Sequence, residues 1–564
     1  MTPTTRLRLI NLASALLLAQ AAVLSFQKLL TARHTPLAFD DAYMFLRYAH
    51  NLLHGLGFSW NLDGVHTYGP TSLLWSFCVL LLSYLPTDPW TQLILGSWFC
   101  SIAAVLAMAW AVAANAHSPW LRSLLRVLPL IVLPLAGSAL FDANQFNGME
   151  TMLATALCAL FLGVALLWRA GRAPSAALSL AAILLFLARP ESALVAVLLP
   201  LLLWLLLEPK RPALKPLLMY YGLFFLGLAV QLVLCKQYFG TPVPLSVYMK
   251  GGRAYLGYPA AWHPELLLIA FLAATQIFLA ALILLARRRD VRLLLACLLP
   301  PAAVFAYLAT VTQIMGFNSR YYVPYAPLLI IPTLLVLDRW LTHSGAEPEA
   351  SLWPGHTLRL RASLTVALFL VFLVLSSEAV QGKIRLLEHR TRDQYDPALL
   401  RIDAATPLPK ASWQSMMFSI TDDLIAPLPP GATVAATEVG YLGDRATHLN
   451  IIDLAGLNDT EIALHGFHPN AFLQRKPDLI WMPNIDYSYQ RGVLFSDPQL
   501  LAQYDLYADA ANYGIALRKD SPFRPQLEHQ LQVFWTKTYP GTDPAAYLVH
   551  SATWSGQKHP VTGE

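Results

Sequence analysis

Charge is scarce in this sequence. Only 13% of its 564 residues are Asp, Glu, Lys or Arg, against about 25% in an ordinary soluble protein. With 56% hydrophobic residues, gathered in blocks such as Leu9–Leu30, Leu178–Leu207 and Leu266–Leu285, a soluble globular chain is excluded. Cysteine is scarce too. Cys78, Cys100, Cys158, Cys235 and Cys297 all lie in apolar segments, at spacings that fit neither a metal site nor a disulfide framework. They read as small packing residues. Internal repeats and low-complexity tracts are absent, which argues against a repeat-built transporter. The formal net charge of +5 orients helices in a membrane and is no nucleic-acid footprint.

A helix needs roughly 20 apolar residues to cross the hydrocarbon core. The blocks therefore predict a mainly α, polytopic membrane protein with about eleven transmembrane helices. The opening apolar stretch is longer than that of a secretory signal and reads as an uncleaved first helix. Positive charge stays on the cytoplasmic side. The N-terminus (Arg6, Arg8) is therefore expected inside, with the loops carrying Arg122 and Arg126, Arg169 and Arg172, Lys210 to Lys215, Arg287 to Arg292, and Arg339 with Arg359 and Arg361. Residues 31–90, Phe141–Glu150, Ala188–Ser192, Lys236–Pro264, Gln313–Tyr322 and everything past residue 378 then face outward. Thr71–Leu85 is short for a span, and counting it as one would place ARRRDVR outside, so a half-inserted helix is expected there.

Past residue 378 hydropathy falls. GATVAATEVGYLGDRATHLNIIDLAGLND, KPDLIWMP and NYGIALRKD read as short strands between Gly, Pro and Asp turns. The expected organisation is a transmembrane domain over 1–378, with its first outer loop at 31–90, and an extracytoplasmic α/β domain over 379–564.

The polar residues that need explaining fall on the outer side. In LAFDDAYMFLRYAHNLLHGLGF, Asp40 and Asp41 precede an expected amphipathic helix. Its apolar stripe is Ala42, Leu46, Ala49 and Leu53, and its polar stripe is Tyr43, Arg47, Asn51 and His54, with Gly55 as the stop. One Asp suits the N-cap. Its neighbour points elsewhere and is free to reach a cleft as base or metal ligand. Glu150 opens a helix, where the dipole favours it. Arg189 and Glu191 flank Pro190 in a tight turn and can pair with each other. Lys250 closes GTPVPLSVYMKGG, and Arg320 sits in FNSRYYVPYAP. Each alone reads as an interfacial anchor. Together, cations and carboxylates at one membrane edge suit a substrate with a phosphate head and a lipid tail. Trp60, His66, Tyr68, Trp75, Tyr248, Tyr255 and Trp262 read first as an aromatic belt, with sugar stacking as the sharper alternative.

FDDAYMFLRYAHNLLHGLGFSWNLDGVHTYGPTSLLW resembles the first outer loop of the GT-C superfamily of integral-membrane glycosyltransferases, in the branch containing the mycobacterial terminal arabinofuranosyltransferase. The likeness continues through GMET, ARPES, GTPVPLSVYMK, RYYVPYAP and VAATEVGYLG…NIIDLAGLND. The acidic loop is its specific part. YGPTSLLW departs from the YT(S/N)PLW of many relatives by moving the proline.

The resemblance implies a polyprenyl-phosphate-linked sugar as donor and transfer on the periplasmic or extracellular face. In a bacterium this places the chain in the inner membrane, with a cytoplasmic N-terminus and a periplasmic C-terminal domain. Carried over, Asp41 or Asp40 is the general base and Glu150 a second acidic residue of the site. Arg189, Lys250 and Arg320 are candidates for the donor phosphate. Arg47, Tyr68, Glu191 and, from the outer domain, Glu438 are candidates for the acceptor and sugar side. The acceptor is a glycan, a lipid-linked glycan or a protein, and an arabinofuranosyltransferase-like activity is one form of the reaction. A single displacement inverts the anomeric centre. A divalent cation near the two aspartates is compatible with their chemistry, but the sequence supplies no complete ligand set, so no metal and no cofactor is assigned. The rival readings are a transporter or flippase of lipid-linked sugars, which would place charges near the midplane, and a receptor or scaffold, which has little need of acids and bases on several separate loops.

Overall fold

The computed structural model describes residues 3–37, 39–207, 214–251, 288–308, 311, 319–342, 400–402, 408–484, 487–507 and 510–554. Helices dominate up to residue 342. They are α1 (Pro3–Ala32), α2 (Asp40–Leu53), α3 (Leu73–Leu82), α4 (Pro89–Asn115), α5 (Leu124–Ala136), α6 (Ala139–Gln145), α7 (Thr151–Arg169), α8 (Ser175–Ala188), α9 (Ala193–Leu206), α10 (Leu214–Phe239), α11 (Leu245–Gly251), α12 (Arg288–Leu308) and α13 (Pro327–Thr342). Among the described residues five helices are long and apolar enough to cross a membrane: Thr4–Ala32, Pro89–Asn115, Thr151–Arg169, Leu214–Phe239 and Asp290–Leu308. The chain is a membrane protein. Four further apolar helices are shorter. The expected span at Leu266–Leu285, the aromatic residues Tyr255 and Trp262 and the basic residues Arg287, Arg359 and Arg361 lie outside the described residues.

Helix α7 is the most enclosed of the five and α1 the least. At the contact of α4 with α7, a Cβ on Gly163 would stand 2.8 Å from the Ala111 Cβ and 2.6 Å from the Trp110 ring, so only glycine admits this approach. The α3 helix has ten residues and rises only about 15 Å, half the hydrocarbon thickness. It cannot span.

Among the described residues, the side chains of the basic loops that bond across the bundle gather at one end. Arg126 bonds Asn11 near the start of α1, and Arg172 bonds the Ala114 carbonyl at the end of α4. Arg169, at the end of α7, bonds the carbonyls of Leu203 and Leu207, and Arg339 pairs with Asp290. Glu150 stands at the other end of α7, a helix of 19 residues, hence about 28 Å away.

The C-terminal part is a small mixed α/β unit. Strands β1 (Leu400–Ile402) and β7 (Ala552–Trp554) form an antiparallel pair. Strands β2 (Thr433–Ala436), β3 (Asn450–Asp453), β4 (Leu479–Trp481), β5 (Tyr504–Tyr507) and β6 (Ile515–Arg518) form a sheet ordered β3-β2-β4-β6-β5. β2 is parallel to β3 and β4, and β6 is antiparallel to β4 and β5. The short apolar runs are almost wholly buried, as strands covered on both faces must be.

Residues 31–90 share their core with this unit. Tyr43, Tyr48 and Trp60 lie in one hydrophobic cluster with Leu442, Leu449 and Ile451. Asn61 bonds both backbone polar groups of Ile451, and the Trp60 indole adds a third bond to that carbonyl. Side chains thus do at the β3 edge what another strand would do. By packing, this loop belongs as much to the C-terminal unit as to the helical bundle.

Candidate active site

Helix α2 carries the two aspartates, and no side chain caps its own N-terminus. Asp40 instead caps a different helix, α14 (Gly440–Arg445) of the C-terminal unit. Its two oxygens accept from the amides of Gly440 (2.8 Å) and Tyr441 (2.7 Å). A Cβ on Gly440 would stand 1.8 Å from the Asp40 carbonyl oxygen, so glycine is required for the approach. Burial pushes the Asp40 carboxyl up to about 6, with the neighbouring Asp41 charge adding to the rise and the two amides opposing it.

Apart from His54, which is exposed, the polar stripe of α2 is buried. Arg47 is fully buried. Its Nε donates to the Trp60 carbonyl (2.6 Å), Nη1 to those of Gly443 (2.9 Å) and Ala446 (3.1 Å), and Nη2 to that of Leu449 (2.8 Å). Burial pulls its pKa down to about 10. Arg47 therefore clasps the C-terminal unit and does not reach the cavity as an acceptor-side residue. Tyr43 and Asn51 are buried as well, while Leu53 of the apolar stripe is exposed.

Asp41 lines a cavity of about 130 Å³. Glu150, Arg189, Glu191, Lys250 and Arg320 line it too. Six of the ten expected site residues, drawn from five separate segments, thus share one space. Asp41 Oδ2 accepts from Arg320 Nη2 at 2.7 Å. Glu150 Oε1 accepts from Arg189 Nη1 at 2.9 Å, and Glu191 takes the other side of that guanidinium, at 2.5 Å from Nη2. Burial opposes the charge on both arginines. For Arg189 the carboxylates of Glu191 and Glu150 outweigh it, and for Arg320 Tyr321 and Asp41 do, so both guanidinium pKa values stand above their ordinary value. Arg320 Nε and Nη1 and Glu150 Oε2 are buried without a hydrogen-bond partner. Such atoms are costly to leave without a partner.

Local structure aims these groups. Asn147 accepts from the Met149 amide and donates to Asn144 and Thr151, which fixes the turn into Glu150. Ser319 has a left-handed φ of 55°, a conformation that non-glycine residues adopt at a cost, and it sets the direction of the adjoining Arg320.

The remaining expected residues lie elsewhere. Tyr68 does not line the cavity: it stacks on Phe239 and accepts from Gln231. Glu438 is buried in the C-terminal unit and accepts from Asn484. That unit touches the cavity through Leu457 instead. Trp60 and Trp75 are neither belt nor sugar platform, because both are fully buried and bond the carbonyls of Ile451 and Gly148. Among the described residues no three His, Cys, Asp or Glu side chains converge as a metal set, and each cavity carboxylate faces a guanidinium.

One cavity residue escapes a reading of the sequence. Tyr321 stands between the cations, and its hydroxyl accepts from Arg320 Nη2 at 3.1 Å. Nothing distinguishes it from the neighbouring Tyr322 except fold.

Residues 412–534 match a family model described as a domain of unknown function, DUF8728. No curated protein matches the sequence. Among solved structures, arabinofuranosyltransferase AftD from mycobacteria aligns at 15% identity with a TM-score of 0.37, over 77% of this chain and 33% of that one. The chain spans about a third of the length of that protein.

Proposed function

We propose that the chain is a membrane glycosyltransferase that moves a sugar from a polyprenyl-phosphate donor to an acceptor hydroxyl, with inversion. The observation that carries this reading is the convergence of Asp41, Glu150 and Glu191 with Arg189, Lys250 and Arg320 in one cavity at the end of the bundle opposite the basic loops. The positive-inside rule puts such a cavity on the outer face, the periplasmic side if the host is a bacterium.

The chemistry follows from the groups. Asp41 accepts the proton of the acceptor O–H as that oxygen attacks the anomeric carbon. The bond from that carbon to the phosphate oxygen breaks, and the lipid phosphate leaves with the electron pair. Arg320 holds Asp41 through Nη2, and its Nε and Nη1, buried and unpartnered, are the donors a phosphate would satisfy on entering, so one guanidinium would serve base and leaving group together. Lys250 and Arg189 add positive charge where the departing anion develops. The unpartnered Glu150 Oε2 suits a sugar hydroxyl. The C-terminal unit, through Leu457, forms part of the wall the acceptor passes. The resemblance carried by FDDAY and its companion motifs supports the same chemistry, with a pentofuranose as one form of the sugar.

Deleting the chain and comparing the surface glycans by mass spectrometry tests this. Loss of one sugar substituent, restored by the wild-type chain and not by Asp41→Asn, is expected. An unchanged glycan profile with intact lipid-linked sugar pools would contradict the reading.

A further inference from the structure

We propose that Tyr321 is the positioning residue that gathers the three cations of the cavity, its ring being the common surface on which Arg189, Arg320 and Lys250 rest. This deepens the donor-phosphate reading above and rests on it.

The three cations come from unrelated parts of the chain: Arg189 from the end of α8, Lys250 from α11, and Arg320 from the turn before α13. Like charges brought together in a poorly hydrated space repel strongly. Their carboxylate partners do not bridge them, since Glu150 and Glu191 bond Arg189 while Asp41 bonds Arg320. Tyr321 is what all three share. The Arg189 and Arg320 guanidinium carbons each stand 5.0 Å from its ring centroid, and Lys250 Nζ stands 5.9 Å away. An aromatic face attracts a cation within about 6 Å, more strongly once water is excluded. The hydroxyl also accepts from Arg320. Burial alone would raise its pKa, but Arg320 and Lys250 outweigh burial and hold it below the usual tyrosine range, which is the electrostatic trace of the same cluster. Each guanidinium also has a carboxylate partner, and beyond its bond to Asp41 Arg320 keeps Nε and Nη1 as buried, unpartnered donors for a phosphate.

The ring is what all three cations share, whereas the hydroxyl reaches Arg320 alone, and the test separates the two. Binding of undecaprenyl phosphate to the full chain in nanodiscs is measured for wild type, Tyr321→Phe and Tyr321→Leu, with melting temperatures alongside. Tyr321→Phe is expected to bind within about threefold of wild type. Tyr321→Leu is expected to raise the dissociation constant about tenfold or more, the order of cation–π support lost from desolvated cations. Leucine binding as well as wild type, or phenylalanine failing as badly as leucine, would overturn the role of the ring and leave the donor reading intact. A wild-type chain that binds no undecaprenyl phosphate would remove both. Should the leucine variant not fold, mono- to trifluorinated phenylalanines at 321 drain the ring's negative face without changing its shape much. Affinity falling stepwise with fluorination is expected, and a flat series would overturn the proposal.

Discussion

Asp40 and Asp41 are adjacent on α2 yet bond to different bodies. Asp40 caps a helix 400 residues away in the C-terminal unit, while Asp41 pairs with an arginine 279 residues away at the cavity. Successive helical side chains diverge by about 100°, so one peptide unit joins a docking contact to a reactive one.

The Asp40 contact is sensitive to pH. Its carboxyl rises from 3.8 to about 6 in the folded chain. A raised carboxyl favours the protonated folded state, so its contribution is full below about pH 4 and is lost as pH climbs through 6. Wild type is therefore expected to lose melting temperature across this window relative to Asp40→Asn, which cannot titrate. Parallel pH profiles for the two proteins would count against it.

Arg47 is a clasp with four carbonyl partners. Arg47→Met removes the donor from the carbonyls of Gly443 and Leu449, while those of Trp60 and Ala446 keep a bond from Asn51 and from the Leu449 amide; each acceptor left unpaired costs about 1–3 kcal/mol before relaxation. We expect a net loss of about 3 kcal/mol or more, read as a lower melting temperature and faster proteolytic release of the C-terminal unit. Activity should fall in step with the folded fraction.

Arg320 bonds Asp41 through Nη2 and keeps Nε and Nη1 buried without a partner. Lysine keeps the charge but lacks the planar fork. Arg320→Lys is thus expected to weaken donor binding by about tenfold to a hundredfold, the order of one or two charged hydrogen bonds, with little change in melting temperature. Donor KM and a binding isotherm both read this.

The membrane character, the short α3, the first outer helix with its glycine stop, and several strands of the sheet are legible in the sequence because each rests on local composition and period. Asp41, Glu150, Arg189, Glu191, Lys250 and Arg320 stand out because charge is rare in such a chain and each needs a reason. What local reasoning misreads is the stripe of Tyr43, Arg47 and Asn51. A polar stripe on an amphipathic helix points to water or substrate unless another part of the chain covers it, and the cover here lies about 400 residues downstream. Trp60 misleads for the same reason, since it docks the sheet edge. Tyr321 is invisible for the converse one, because its significance lies wholly in the three cations that folding brings to it.

The measurement that bears most directly on the division of labour between the two aspartates is sugar transfer by purified chain in lipid, run on wild type, Asp41→Asn and Asp40→Asn, with melting temperatures taken in parallel. Asp41→Asn is expected to lose at least about a hundredfold in turnover, the scale of a missing general base, while melting like wild type. Asp40→Asn is expected to keep turnover per folded molecule and to melt differently. A folded Asp41→Asn protein that transfers sugar at the wild-type rate would contradict the assignment of Asp41 as the base.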